Sequence, residues 1–77
     1  MERTERFYKI DQLLNDRRST PMEALIEELG VSRATVKRDI EYMRDRLNAP
    51  ITWDRSLRGY RFDRSQPGSE KYGLPGL

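Results

Sequence analysis

A chain of 77 residues supports one domain, and 35% hydrophobic against 36% charged residues describe a unit that buries one modest cluster beneath an ionic surface. It has neither cysteine nor histidine, which removes disulfides, thiolate nucleophiles, imidazole bases and nearly every zinc ligand set; no catalytic, cofactor or metal site is expected. The net charge of +2 hides an asymmetry: residues 1–30 carry five basic and seven acidic side chains, residues 31–64 nine and five, a concentration of positive charge suited to a polyanion.

Residues 3–18 read as a first helix, with Phe7, Ile10, Leu13 and Leu14 on one face. Ser19, Thr20 and Pro21 then form a start signal. Thr20 is the expected cap, Pro21 suits the first helical position, and Glu23, three residues after Thr20, completes a capping box. The second helix places Met22, Leu25, Ile26 and Leu29 on one stripe and stops at Gly30. Ser32 is the expected cap of a third helix running to about residue 47, with Val36, Ile40, Met43 and Leu47 inward; Asn48, Ala49 and Pro50 end it.

Beyond Pro50 the period changes to two. Ile51 and Trp53 alternate with Thr52 and Asp54, and Tyr60 and Phe62 with Arg61 and Asp63; Gly59 marks a turn, so two short strands flank a basic loop. Such a hairpin must pack its aromatic face on the helices to be stable, and Trp53, Tyr60 and Phe62 are expected in the core rather than free to stack on unpaired bases. From residue 64 on there is no periodicity.

A short helix, a tight turn at Gly30 and a longer helix from Ser32 form a helix-turn-helix, in which the second helix of the pair enters the major groove of DNA. The expected fold is mainly α: a three-helix winged helix-turn-helix with a C-terminal two-stranded β-hairpin wing. At about 100° per residue the third helix turns Ala34, Lys37, Arg38 and Glu41 outward, with Ser32 and Arg33 at its tip. Arg33, Lys37 and Arg38 have the donors to read guanine O6 and N7, and Ala34 permits close approach to a base edge. Thr20, Ser32, Thr35 and Tyr42 are candidate phosphate donors, and Arg55 and Arg58 lay charge along a backbone or into a minor groove. Asp39, beside the buried stripe, is expected to pair with an arginine.

Each basic side chain taken singly is ordinary solvated surface, and Lys37 with Glu41 is an i, i+4 pair; their joint placement after a glycine-turned helix pair favours double-stranded DNA as the partner. The alternative is a winged-helix protein-interaction module that docks through the apolar rim around Leu57 and Trp53. An enzyme fits least, because Glu27 and Glu28 lie side by side on a solvated helix and no nucleophile has a base. No apolar run approaches the ~20 residues of a membrane span and the first ten residues lack a secretory apolar stretch, so no membrane partner and a cytoplasmic location are expected.

Residues 3–63 resemble the N-terminal domain of the bacterial WYL-domain transcriptional regulators, which share a winged helix with the deoxyribose-operon-repressor-like proteins. The resemblance is carried by RTERFYKIDQLL, LGVSRATVKRDIEYMRDRL and APITWDRSLRGYRF. It implies a sequence-specific regulator with Ser32, Arg33, Ala34, Lys37 and Arg38 on the recognition helix and Arg55 and Arg58 on the wing. Ile26 departs from the pattern, standing where the family usually has alanine. Such regulators continue into a WYL domain that is thought to sense a ligand and aid dimerisation, and the ending YGLPGL resembles the start of the linker to it. The expectation is therefore a DNA-binding domain over residues 1–63 and a flexible tail or linker over residues 64–77, monomeric alone and homodimeric in the full-length regulator.

Overall fold

Apolar side chains at helical spacing draw three helices around one core. In the computed structural model, which describes residues 1–76, they are α1 (Arg3–Asp16), α2 (Met22–Leu29) and α3 (Arg33–Arg46). An antiparallel hairpin of β1 (Ile51–Asp54) and β2 (Gly59–Phe62) follows, completing the mainly helical winged helix-turn-helix. Phe7, Ile10, Leu13 and Leu14 of α1 meet Met22, Leu25 and Leu29 of α2 and Val36, Ile40 and Met43 of α3, all buried. Each such side chain contributes about 1.5–3 kcal/mol on full burial, which orients the helices before any polar contact is considered.

The helix ends follow the sequence except at two places: α1 stops at Asp16, two residues before the expected end, and the start of α2 is built differently. Ser32 caps α3 by accepting the Thr35 N–H at 3.2 Å, and Gly30 ends α2 in the left-handed region at φ 64°, its N–H donating to the Ile26 carbonyl. A left-handed Asn48, φ 61°, closes α3, while the Leu47 and Ala49 N–H groups both donate to the Met43 carbonyl. The capping box on α2 does not form. Pro21 occupies the cap position, α2 starts one residue later, and no side chain caps it. Thr20 is instead fully buried: its N–H donates to the Tyr60 carbonyl and its carbonyl accepts the Tyr60 N–H, both at 2.8 Å. Thr20 thus adds a one-residue rung to the sheet beside β2.

That rung explains Gly59, which is not the turn residue expected. Gly59 lies in β2 opposite Asp54, and the left-handed residue of the loop is Arg58, φ 53°. A Cβ at Gly59 would stand 2.9 Å from the Ser19 hydroxyl oxygen and 3.0 Å from the Thr20 carbonyl carbon and oxygen. Glycine is needed there for close backbone approach, not for its torsional freedom. The four-residue loop is braced by Asp54, whose carboxylate accepts the Leu57 N–H at 2.9 Å and the Arg61 Nε–H at 2.8 Å. The Leu57 N–H and then Arg61 hold the Asp54 carboxyl below its ordinary value of 3.8.

The period-two reading places the correct residues on the inner face but misjudges the depth of one. Ile51 is buried and Tyr60 nearly so, whereas Trp53, opposite Tyr60, is 44% exposed. The difference lies between the strands: Gly59 and Tyr60 of β2 are buried beside the Thr20 rung, whereas β1 is the outer strand and lacks that cover at Trp53. Trp53 is therefore no core residue. It packs edge-on against Tyr60, ring centroids 4.9 Å apart at 72°.

Residues 64–76 make contacts where the sequence has no pattern. Past a single 3-10 turn at Ser69–Lys71, Tyr72 and Leu74 pack against the core. The Tyr72 hydroxyl donates to Asp11 at 2.7 Å, the Tyr8 hydroxyl donates to the Pro75 carbonyl at 2.7 Å, and the Gly73 N–H donates to the Leu47 carbonyl. Burial first, and the Asp11 carboxylate second, push the Tyr72 hydroxyl well above its ordinary value, so it remains a donor.

Candidate nucleic-acid interface

Everything that exposes one face of α3 begins with what holds the opposite face. Val36, Asp39, Ile40 and Met43 are buried, and Asp39 is the informative one. Its two carboxylate oxygens accept from Arg6 of α1, Nε at 2.6 Å and Nη2 at 3.2 Å, a two-pronged pair that pins α3 to α1. The Arg6 side chain is 15% exposed and that of Asp39 4%, so the pair is sheltered from solvent screening. Asp39 raises the Arg6 guanidinium above its already high ordinary value, so that cation stays charged.

With that face fixed, Arg33, Ala34, Lys37, Arg38 and Glu41 are all exposed. Arg33 is 3.7 Å from Glu23, an open pair between the first turns of α3 and α2 that is easily exchanged for another anion. Arg33 and Lys37 lie toward the hairpin and share a shallow groove with Met22, Trp53 and Tyr60. Arg38 lies on the other flank, in a hollow with Arg3, Arg6, Thr35, Asp39 and Tyr42. One helix thus carries cations along both flanks of a single exposed ridge.

The expected phosphate donors divide. The Ser32 hydroxyl is engaged as the cap of α3 and shares a 3.1 Å hydrogen bond with the Thr35 hydroxyl, yet Ser32 is exposed at the helix tip, where the positive pole of the helix favours an anion. Tyr42 is half-buried, stacked on Phe7 with centroids 5.4 Å apart and an interplanar angle of 12°, with the Arg3 guanidinium 4.5 Å from its centroid. Its ring is a packing element between α1 and α3. Thr20 is removed from the set: a fully buried hydroxyl directed at the Leu13 carbonyl, 3.4 Å away, has no access to a phosphate. Arg55 and Arg58 are exposed in the hairpin loop.

Two side chains outside the expected set adjoin the ridge. Arg3 reaches the Arg38 flank from the start of α1, and no local pattern signals that, because it depends on how α1 crosses α3. Trp53 adjoins the opposite flank. No local pattern signals that either, because Trp53 shares the phase of the buried Ile51. Among the described residues no group of three or more Asp or Glu side chains is placed to hold a metal ion, and no helix is long and apolar enough to cross a membrane.

Three packed helices, a glycine turn between the second and third, an exposed basic face on the third and a hairpin beside it define a helix-turn-helix DNA-binding domain. The chain belongs to that family: a family model described as "HTH domain" matches residues 5–61, from the first helix through most of the second strand. No curated protein and no solved structure matches the chain.

Proposed function

We propose that this domain recognises double-stranded DNA in a sequence-specific manner as the DNA-binding part of a bacterial transcriptional regulator. Helix α3 lies in the major groove with Arg33, Ala34, Lys37 and Arg38 toward base edges. Ser32, Thr35 and Tyr42 face phosphates, and Arg55 and Arg58 of the hairpin follow the backbone or the adjacent minor groove. The observation that carries this reading is the exposure of those four α3 side chains on one ridge while the opposite face is locked by core packing and the Arg6–Asp39 pair. The resemblance to WYL-domain regulators supports the regulatory role. A single domain offers few base contacts, so tight operator binding calls for two copies on two half-sites.

Selection of bound sites from a random duplex library by this chain tests the proposal. A recovered motif is expected, with affinity falling at about −0.9 in log K per log salt for each phosphate neutralised. Arg38→Ala should cost about 1–3 kcal/mol and relax preference at one base pair, whereas Arg58→Ala should weaken all duplexes alike. Absence of any duplex binding, or association with a protein that is indifferent to salt, overturns it.

A further inference from the structure

Among the described residues, the large apolar side chains more than a third exposed are Met1, Tyr8 and Trp53, and of these Trp53 stands beside cations of α3. Its setting is specific. The indole forms one wall of a groove whose other residues are Met22 and Tyr60, contributing apolar surface, and Arg33 and Lys37, contributing positive charge. An exposed aromatic ring bordered by two cations matches a ligand that is itself apolar and anionic over a short distance, and the deoxyribose–phosphate strand of a duplex has that character. The ring is also held before any ligand arrives. The edge-on contact with Tyr60 fixes one side, and Tyr60 is anchored by its paired hydrogen bonds to Thr20. A side chain already fixed in position loses little rotamer freedom on binding, which favours affinity.

We propose that Trp53 is a DNA-contacting residue that lays its indole against the sugar–phosphate backbone of one strand, in the groove between α3 and the hairpin that it shares with Arg33 and Lys37. The inference rests on the duplex reading above. It assigns the contact to the body of the hairpin, whereas the expectation from sequence gave the hairpin's part to the loop arginines alone. An indole edge has apolar C–H surface for the deoxyribose and an N–H donor for a phosphate oxygen, so Trp53 positions the duplex rather than reading its bases.

Trp53 is the sole tryptophan, so its own fluorescence reports on the contact. Duplexes recovered from the random library are titrated into the full chain, with binding followed by anisotropy of labelled DNA and, separately, by acrylamide quenching of Trp53. Saturating duplex is expected to shield Trp53 from acrylamide, and Trp53→Ala is expected to weaken binding about ten-fold on every bound sequence. Circular dichroism establishes that Trp53→Ala is folded. Should it fail to fold, shielding of the native tryptophan decides the question. Duplex binding with Trp53 unshielded, or folded Trp53→Ala binding as tightly as the native chain, overturns the contact and leaves DNA recognition by α3 standing. Loss of all duplex binding in the native chain overturns both. Shielding of Trp53 by a protein partner in place of DNA also ends the proposal.

Discussion

The two elements that flank the exposed face of α3, helix α1 and the hairpin, are held by different physical means. Toward α1, side chains do the holding: the sheltered Arg6–Asp39 pair and the Phe7–Tyr42 stack lie between two helices that already share a core. The hairpin is held through the main chain to the segment between α1 and α2: Thr20 and Tyr60 exchange two backbone hydrogen bonds, and Gly59 lets those segments approach. A side-chain lock depends on the identity of two residues and tolerates backbone adjustment, whereas a backbone lock tolerates almost any side chain but no added bulk at its tightest point. The recognition ridge lies between the two, so its orientation is set by one and the position of the hairpin beside it by the other.

The largest test breaks the first lock. Asp39→Ala leaves the Arg6 guanidinium poorly solvated and unpaired, and should destabilise the domain by about 3 kcal/mol, read as a fall in the midpoint of chemical unfolding. Arg6→Met combined with Asp39→Leu should recover much of that loss, because an apolar pair removes the charge together with its partner. If the single variant melts with the native chain, the pair does not hold α3.

Breaking the second lock should cost somewhat less. Gly59→Ala forces a methyl group against the Thr20 carbonyl and should destabilise by about 2 kcal/mol. Hydrogen exchange distinguishes its mechanism from that of Asp39→Ala. The Thr20 and Tyr60 amides should lose protection first in Gly59→Ala, while those of α1 and α3 keep theirs relative to global unfolding. Uniform loss over the whole chain would show that the hairpin is not held separately from the helices.

A third, smaller effect belongs to the C-terminal segment. Tyr72→Phe removes the hydroxyl that donates to Asp11 and keeps the ring beside Phe62, so a loss of about 1 kcal/mol is expected in thermal unfolding. The smallest lies in the loop and is recognised by its pH dependence in acid. The folded Asp54 carboxyl has its pKa lowered, so its contribution is complete above the ordinary 3.8 and is lost as pH falls through the lower folded value. Asp54→Asn should therefore flatten the acid limb of stability against pH, measured by urea unfolding below about pH 4. An unchanged acid limb would show that the loop brace contributes nothing to folding.

Much of the fold and of the exposed ridge was legible in the chain itself. Helical spacing located α1, α2 and α3, the left-handed turn at Gly30 and the Ser32 cap separated the last two, and the position of Val36, Ile40 and Met43 on α3 dictated that Arg33, Lys37 and Arg38 face outward. These signals are local, since periodicity and capping act over one or two turns of chain. Tertiary structure alone decided the rest. Thr20 has the composition of a cap and becomes a strand rung because Tyr60, forty residues on, offers it a complete pair of backbone hydrogen bonds. Trp53 has the phase of a core residue and stays half in solvent because it lies on the outer strand, away from the Thr20 rung beside Tyr60. Tyr72 finds Asp11 across the whole length of the domain, in a segment with no periodicity of its own. Phase is written in neighbouring residues, but depth and partner depend on which distant surfaces arrive, and only packing determines that.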